Sequence, residues 1–333
     1  MQYRTLGKTG LKISEIGFGC GNNALLMVRA TYQEQLQAVR RALDLGINYF
    51  DTAFAYGLGK SEENLGKILG ELGASAVVST KIRLEPAADL KAAAIQAVEA
   101  GLKRLKRSSV DLIQLHNRVT VERSPGKRFS LTPKDIVGPG GVVEGFKEMR
   151  DRGKVGHFGF SGLGAPKALH EVVDSGKFHS VQAYYNLLNP SAGQPVPRDF
   201  SALDYGRLID RAAGKEMGVA VIRVLAAGAL TSDPTAGGGS SPEPLSPGSD
   251  YNVDLQRAEK VKFLIGGDIK SLTQAAIRFA LMKPEVSTVL VGFSNTAHID
   301  EAVVCSGAGG LSQEAMARLR ELWKTDFGRI SAT

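Results

Sequence analysis

Three observations predict that this 333-residue chain folds as a closed (β/α)8 barrel, entered through a short N-terminal β-hairpin and carrying long loops on its C-terminal face. Eight short apolar runs of strand length, rich in β-branched and aromatic residues, alternate with helical patterns along nearly the whole chain. Eight is the number of parallel strands that closes into this barrel. No G-x-G-x-x-G stretch follows the first strand and opens a helix: "GFGCGN" supplies glycines without one, which argues against the alternative, an open doubly wound sheet with a dinucleotide fingerprint. Residues 1–333 are read as a single domain.

After the hairpin, the strands are "ISEIGFGC", "INYF", "AVVSTK", "VDLIQLH", "VGHFGF", "SVQAYY", "VAVIRV" and "STVLVGF". Ser61 followed by two glutamates reads as an N-cap with an acidic first turn, and Leu65, Ile68, Leu69 and Leu72 form the apolar face behind it. Asp89 opens another helix, with Leu90, Ala94, Val98 and Leu105 along one side. Pro166 suits a first helical position ahead of Leu169, Val172 and Val173. Gly46, Gly73, Gly153 and Gly218 fall where helices are expected to stop. Two stretches break the rhythm, Arg118 to Gly141 after the fourth strand and Thr231 to Asp250 after the seventh. The second has the composition of a mobile loop or lid, and the pattern resumes at "SLTQAAIRFALMK".

Composition narrows the function. The net charge is +7, yet no tract of five or six basic residues occurs, and the densest cluster, "KRLKR", ends a helix where cations complement the macrodipole. A nucleic-acid partner is therefore not expected. The two cysteines, Cys20 and Cys305, are far apart and lack metal-ligand spacing, so neither a metal nor a disulfide is expected. The N-terminus has no apolar leader and no run of 18 apolar residues occurs; a cytoplasmic protein without membrane association is expected.

Polar groups stand at successive strand ends. Asp51 ends the second strand with Tyr56 in its loop, Lys81 ends the third, His116 the fourth and Ser161 the fifth, while Gln182 lies in the sixth. In a closed barrel these converge on one mouth. A tyrosine with an ordinary pKa of about 10 transfers protons poorly at neutral pH. A neighbouring lysine ammonium favours the phenolate, an aspartate keeps the lysine charged, and an imidazole orients a carbonyl. This set contains no evident nucleophile and no metal shell. Proton transfer to oxygen accompanied by hydride transfer from a cofactor fits it best.

The stretches "GINYFDTAFAYGLGKSEENLG", "VSTK", "VDLIQLH", "GKVGHFGFSG", "VQAYYNLL" and "VSTVLVGFSN" resemble the aldo-keto reductases, from near the N-terminus to about Trp323. The resemblance implies a (β/α)8 barrel that reduces aldehydes and ketones with NADPH or, less often, NADH. It implies the tetrad Asp51, Tyr56, Lys81 and His116, with Tyr56 as general acid, Lys81 and Asp51 tuning it, and His116 orienting the carbonyl. It places Ser161 and Gln182 on the nicotinamide carboxamide, with Gly162 where the family usually has Asn, and Gly19 and Cys20 beside the nicotinamide ribose. "VIRVLAAGAL" resembles the pyrophosphate segment and contributes Leu225, Gly228 and Leu230; Ile222 replaces an aromatic there, and Arg223 replaces a small residue. Arg223 is expected either to reach the pyrophosphate or to pair with a carboxylate inside the barrel.

"GFSNTAHIDEAV" implies an adenosine grip from Gly292, Ser294, His298 and Glu301, with His298 where Arg is frequent and Ala302 where Asn is frequent. NADP(H) is favoured and NAD(H) is the alternative. Substrate selectivity is expected from Phe54, Asn117 and the long loops, with Arg118, Arg123, Arg128 and Arg198 as solvated charge or as attraction for acidic substrates, and with Trp323 and Phe327 as a pocket wall or as core. Two competing readings are a non-catalytic nucleotide-binding partner subunit of the same fold and a barrel enzyme with Lys81 as a Schiff-base amine. Asp51 beside Lys81 opposes the latter by raising the lysine pKa. Oligomeric state is left open.

Overall fold

Short β-branched and aromatic runs bounded by glycine make the eight strands of the computed structural model, which describes residues 1–21, 25–123, 129–232 and 250–329. They are β1 (Ile16–Gly19), β2 (Tyr49–Asp51), β3 (Val77–Ile82), β4 (Val110–Leu115), β5 (Val155–Gly162), β6 (Ser180–Tyr184), β7 (Gly218–Ile222) and β8 (Val286–Gly292). All pair in parallel, each with its neighbours in sequence, and β8 pairs with β1, which closes the barrel. The hairpin precedes it, Tyr3–Thr5 against Lys12–Ser14. The expected first strand therefore joined the end of the hairpin to β1.

The interior is layered. Tyr49, Leu112, Ala220 and Leu290 fill the lower barrel, and Leu6 and Ile13 of the hairpin pack beneath them as a plug. Each leucine or isoleucine among them, once taken from water, contributes about 1.5–3 kcal/mol. The plug also explains Gly218. It does not stop a helix, as its position after an amphipathic stretch suggested; it starts β7, and a Cβ there would stand 2.4 Å from the Leu6 side chain.

Helices α1 (Tyr32–Asp44), α2 (Lys60–Glu71), α3 (Leu90–Leu105), α4 (Val142–Asp151), α5 (Pro166–Asp174), α6 (Leu208–Ala213), α7 (Leu272–Leu281), α8 (Thr296–Val303) and α9 (Gln313–Lys324) surround the strands. Gly46, Gly73 and Gly153 each follow a helix end with positive φ, as expected. Asp89 caps α3 by accepting from the Ala92 amide. Ser61 does not cap α2. The cap position is Gly59, and the Ser61 hydroxyl donates to the Cys20 carbonyl (3.0 Å) while meeting Thr52 Oγ1 (2.8 Å), tying α2 to the ends of β1 and β2.

The stretch after β4 is built rather than loose. Arg118–Val119 pairs with Ser130–Leu131, and Thr132 and Asp135 form a capping box on a short helix, Pro133–Val137. Arg128 lies outside the described residues, as do residues 233–249, on which the expectation of a mobile lid falls. Trp323 and Phe327 belong to the core. The Trp323 indole donates to the Leu187 carbonyl (2.9 Å), and Phe327 is fully buried under the Arg257 guanidinium. Among the described residues, no helix is long and apolar enough to cross a membrane.

Candidate active site

Strand alternation sends Tyr49 and Asp51, Ser79 and Lys81, and Leu112 and Gln114 to the same side of their strands. Above the apolar lower layer this leaves a polar layer at the strand ends. Lys81 is 1% exposed, a cation that needs partners to remain charged. Its ammonium donates to Asp51 Oδ2, to the Thr52 carbonyl (3.0 Å) and to the Tyr56 hydroxyl (3.1 Å), so its three hydrogens meet three acceptors. The Tyr56 and His116 rings stand edge to face, with centroids 5.7 Å apart. Asp51, Lys81, Tyr56 and His116 thus share one rim.

The electrostatics follow from this packing. Burial pulls Lys81 down, but Asp51 and Tyr56 outweigh it and hold the ammonium above its ordinary value. Burial pushes the Tyr56 phenol up, and Lys81 opposes that without reversing it. Lys81 by itself would lower the phenol, but the cost of enclosing a phenolate is larger. Burial, then Lys81 and Arg83, hold His116 well below the ordinary imidazole range, so the ring is neutral. Its Nδ1 is buried without a partner among the described residues.

Ser161 lies on β5, buried, and its hydroxyl also has no partner among the described residues. Gly162 follows it, packed so closely that a Cβ would stand 2.7 Å from the Gln182 carbonyl. Gln182 donates its amide to Asp51 Oδ1 (2.8 Å). Gly19 ends β1 between Asp51 and Gly292 in register, and the Cys20 amide donates to the Asp51 carbonyl (2.9 Å). Burial pushes the Cys20 thiol up, out of reach of thiolate chemistry.

Arg223 follows β7 with a left-handed φ of 56°. No carboxylate lies within 4 Å of it among the described residues, so the interior salt bridge is not formed there. Burial pulls its guanidinium down, and Tyr184, Tyr56 and Asp254 are its electrostatic neighbours. Beyond it, the amides of Gly228 and Leu230 both donate to the Leu225 carbonyl, and Leu230 is wholly buried. Those two amides are engaged within the turn. Gly292 and Ser294 are exposed where β8 leads into α8. There Asn295 accepts from the His298 amide (3.1 Å), and Ser271 donates to Glu301.

Two residues expected at the substrate have protein neighbours of their own. Asn117 is fully buried, accepting from the Leu84 amide (2.9 Å) and donating to the Leu84 carbonyl (2.6 Å). It joins the loops after β3 and β4. Phe54 is 38% exposed and lies under the Arg104 guanidinium, 4.7 Å from the ring centroid. One member of the polar layer escaped the sequence reading. Gln114 donates to Asp51 Oδ1 (3.0 Å) and Ser79 Oγ (2.7 Å). Its signal was a polar residue in the apolar run "LIQLH", two positions before His116.

The model of the Aldo/keto reductase family matches residues 15–324. The chain is 25% identical to the uncharacterized oxidoreductase YqkF of Bacillus subtilis, over 98% of both chains. It is 27% identical to L-galactose dehydrogenase of Arabidopsis thaliana, over 97% of this chain and 94% of that protein. Among solved structures, the holo form of aldo-keto reductase AKR11C1 from Bacillus halodurans shares the fold, with a TM-score of 0.74 at 23% identity over 97% of both chains.

Proposed function

Because the chain belongs to the aldo/keto reductase family, we propose that it is an NADP(H)-dependent oxidoreductase that interconverts an aldehyde or ketone with its alcohol, with Tyr56 as general acid and base. The observation that carries this reading is the threefold hold of Lys81 on Asp51, Thr52 and Tyr56 beside a neutral His116. Tyr56 gives its proton to the oxygen of a reducing carbonyl, and the Lys81 ammonium, already in contact, takes up the charge left on the phenolate. His116, being neutral, directs the carbonyl without competing as an acid. In oxidation the same groups run in reverse.

The dinucleotide supplies hydride when bound. The residues present fit it: the Ser161 hydroxyl is buried and unpartnered beside the tetrad, which suits an amide needing a donor and an acceptor. Gln182 offers its carbonyl oxygen to that amide while its own amide holds Asp51. Arg223, with no described carboxylate on it, is assigned to the pyrophosphate. Gly19, Cys20, Gly292, Ser294, His298 and Glu301 complete the cleft in this reading. NADP(H) is preferred over NAD(H). The protein acts as a single cytoplasmic domain on small molecules.

The test is loss of NADPH absorbance with a panel of aldehydes and ketones, alongside Tyr56→Phe. Turnover that falls at least about a hundredfold in the variant is expected. Turnover that persists in Tyr56→Phe overturns the role of Tyr56. Cofactor binding with no turnover across the panel returns the chain to the partner-subunit reading. Dissociation constants for both cofactors decide the preference, and a tenfold preference for NADH reverses it.

A further inference from the structure

We propose that Gln114 is a positioning residue for the reaction: its side-chain amide fixes the Asp51 carboxylate so that the carboxylate holds Lys81 against Tyr56. The inference rests on the carbonyl-reductase reading above.

Asp51 is a buried carboxylate with an apolar layer directly below it, formed by Tyr49, Leu112, Ala220 and Leu290. Such a group needs donors on both oxygens. Lys81 satisfies Oδ2. At Oδ1 the donors are two carboxamides, Gln182 at 2.8 Å and Gln114 at 3.0 Å. They differ in what else they face. Gln182 lies beside Ser161 in register, on the side assigned to the cofactor. Gln114 lies opposite Lys81 in register and is 1% exposed. Its second amide hydrogen is spent on Ser79 Oγ at 2.7 Å, and Ser79 stands opposite Asp51.

The Gln114 amide nitrogen is therefore locked at two points on neighbouring strands, and it meets no group that the reaction changes. It sets the plane of the carboxylate whether or not a dinucleotide is bound. The consequence reaches Tyr56 through Lys81. As the phenol loses its proton, the ammonium must already be in place, because an ion pair that has to reorient adds to the barrier. With Gln114 gone, Asp51 Oδ1 keeps only the Gln182 donor, the carboxylate can turn about that single contact, and Lys81 leans more on the Thr52 carbonyl and the phenol. The other titratable groups in this field are Cys20, Tyr49, Glu62, Arg83, His116 and Arg223. Gln114 carries no charge, so replacing it with a neutral residue leaves that set intact.

Two variants test the assignment. Gln114→Met keeps the volume and removes both donors; kcat is expected to fall on the order of ten- to a hundredfold, with the NADPH dissociation constant, read by fluorescence, changed less than about twofold. Gln114→Glu keeps the shape but donates only when protonated. Its kcat relative to wild type is expected to rise as pH falls from about 8 to about 6, because a carboxyl placed beside Asp51 titrates high. A residue that merely filled space would lower thermal stability without creating that pH dependence. A Gln114→Met kcat within about threefold of wild type, or a Gln114→Glu ratio flat with pH, overturns the proposal. If Gln114→Met does not fold, the Gln114→Glu profile decides alone. An active wild type with unresponsive variants defeats this inference and leaves carbonyl reduction standing; an inactive wild type defeats both.

Discussion

Lys81 shows how much one side chain can be asked to do. It is a fully enclosed cation whose partners are a carboxylate, a carbonyl and a phenol. Lys81→Met leaves the Asp51 charge buried and unpaired, so a loss of about 3–5 kcal/mol in urea unfolding is expected together with loss of turnover. An unchanged unfolding midpoint would mean that Asp51 finds other compensation. Ser161→Ala should behave oppositely. Its hydroxyl has no partner to lose among the described residues, so thermal stability should hold while the NADPH dissociation constant rises about two- to tenfold. A fall in stability with unchanged affinity would assign the hydroxyl to the fold. Asp51, Lys81 and His116 were legible in the sequence because each stands within one residue of a strand end, and period-2 alternation fixes its side. The positions of Asn117 and Phe54 were not, because which neighbour a loop side chain meets depends on how adjacent loops stack. Arg223 was legible as an oddity, and no carboxylate lies within 4 Å of it among the described residues.

At the scale of elements, strand ends and helix stops were readable wherever a local rule acts alone. Gly46, Gly73 and Gly153 follow helices because an αL residue closes them. The rule failed at Gly218, where the hairpin presses on β7, and at Ser61, where the hydroxyl serves two strand ends instead of its own helix. Both failures are tertiary contacts overriding local preference. Asn117 is a comparable joint, linking the loops after β3 and β4 through both polar atoms of its amide. Asn117→Ala strips partners from the Leu84 backbone and should cost about 2–4 kcal/mol. In the folded fraction the Michaelis constant should remain near wild type. A large rise in that constant with intact stability would instead support a substrate role for Asn117.

The whole molecule carries its own pH dependence. Burial holds His116 well below the ordinary imidazole range and His179 down to about 4. In the unfolded chain both take up protons below about pH 6.5. Folded, they do so only at lower pH, so the unfolded state binds more protons between those limits and stability falls with falling pH. Thermal melts should show the midpoint dropping from about pH 6.5 toward about 4, a decline partly opposed below about pH 6 by Asp254, whose carboxyl burial holds up to about 6. A flat midpoint across that window would contradict the burial of these rings. The closed eight-stranded plan was legible because the alternation of elements runs the length of the chain. The hairpin plug and the structured stretch after β4 were not, since both are defined by what they pack against.

The central claim is that the rim built on Asp51, Tyr56, Lys81 and His116 protonates a carbonyl oxygen while a bound dinucleotide delivers hydride to the carbonyl carbon. The most direct measurement uses NADPH deuterated at the transferring position of its nicotinamide C4, followed by mass spectrometry of the alcohol formed from an aldehyde that the wild type reduces. One deuterium per product molecule on the carbinol carbon, with product formation lost in Tyr56→Phe, is the predicted result. Product lacking deuterium, or formed equally well without the Tyr56 hydroxyl, would contradict it.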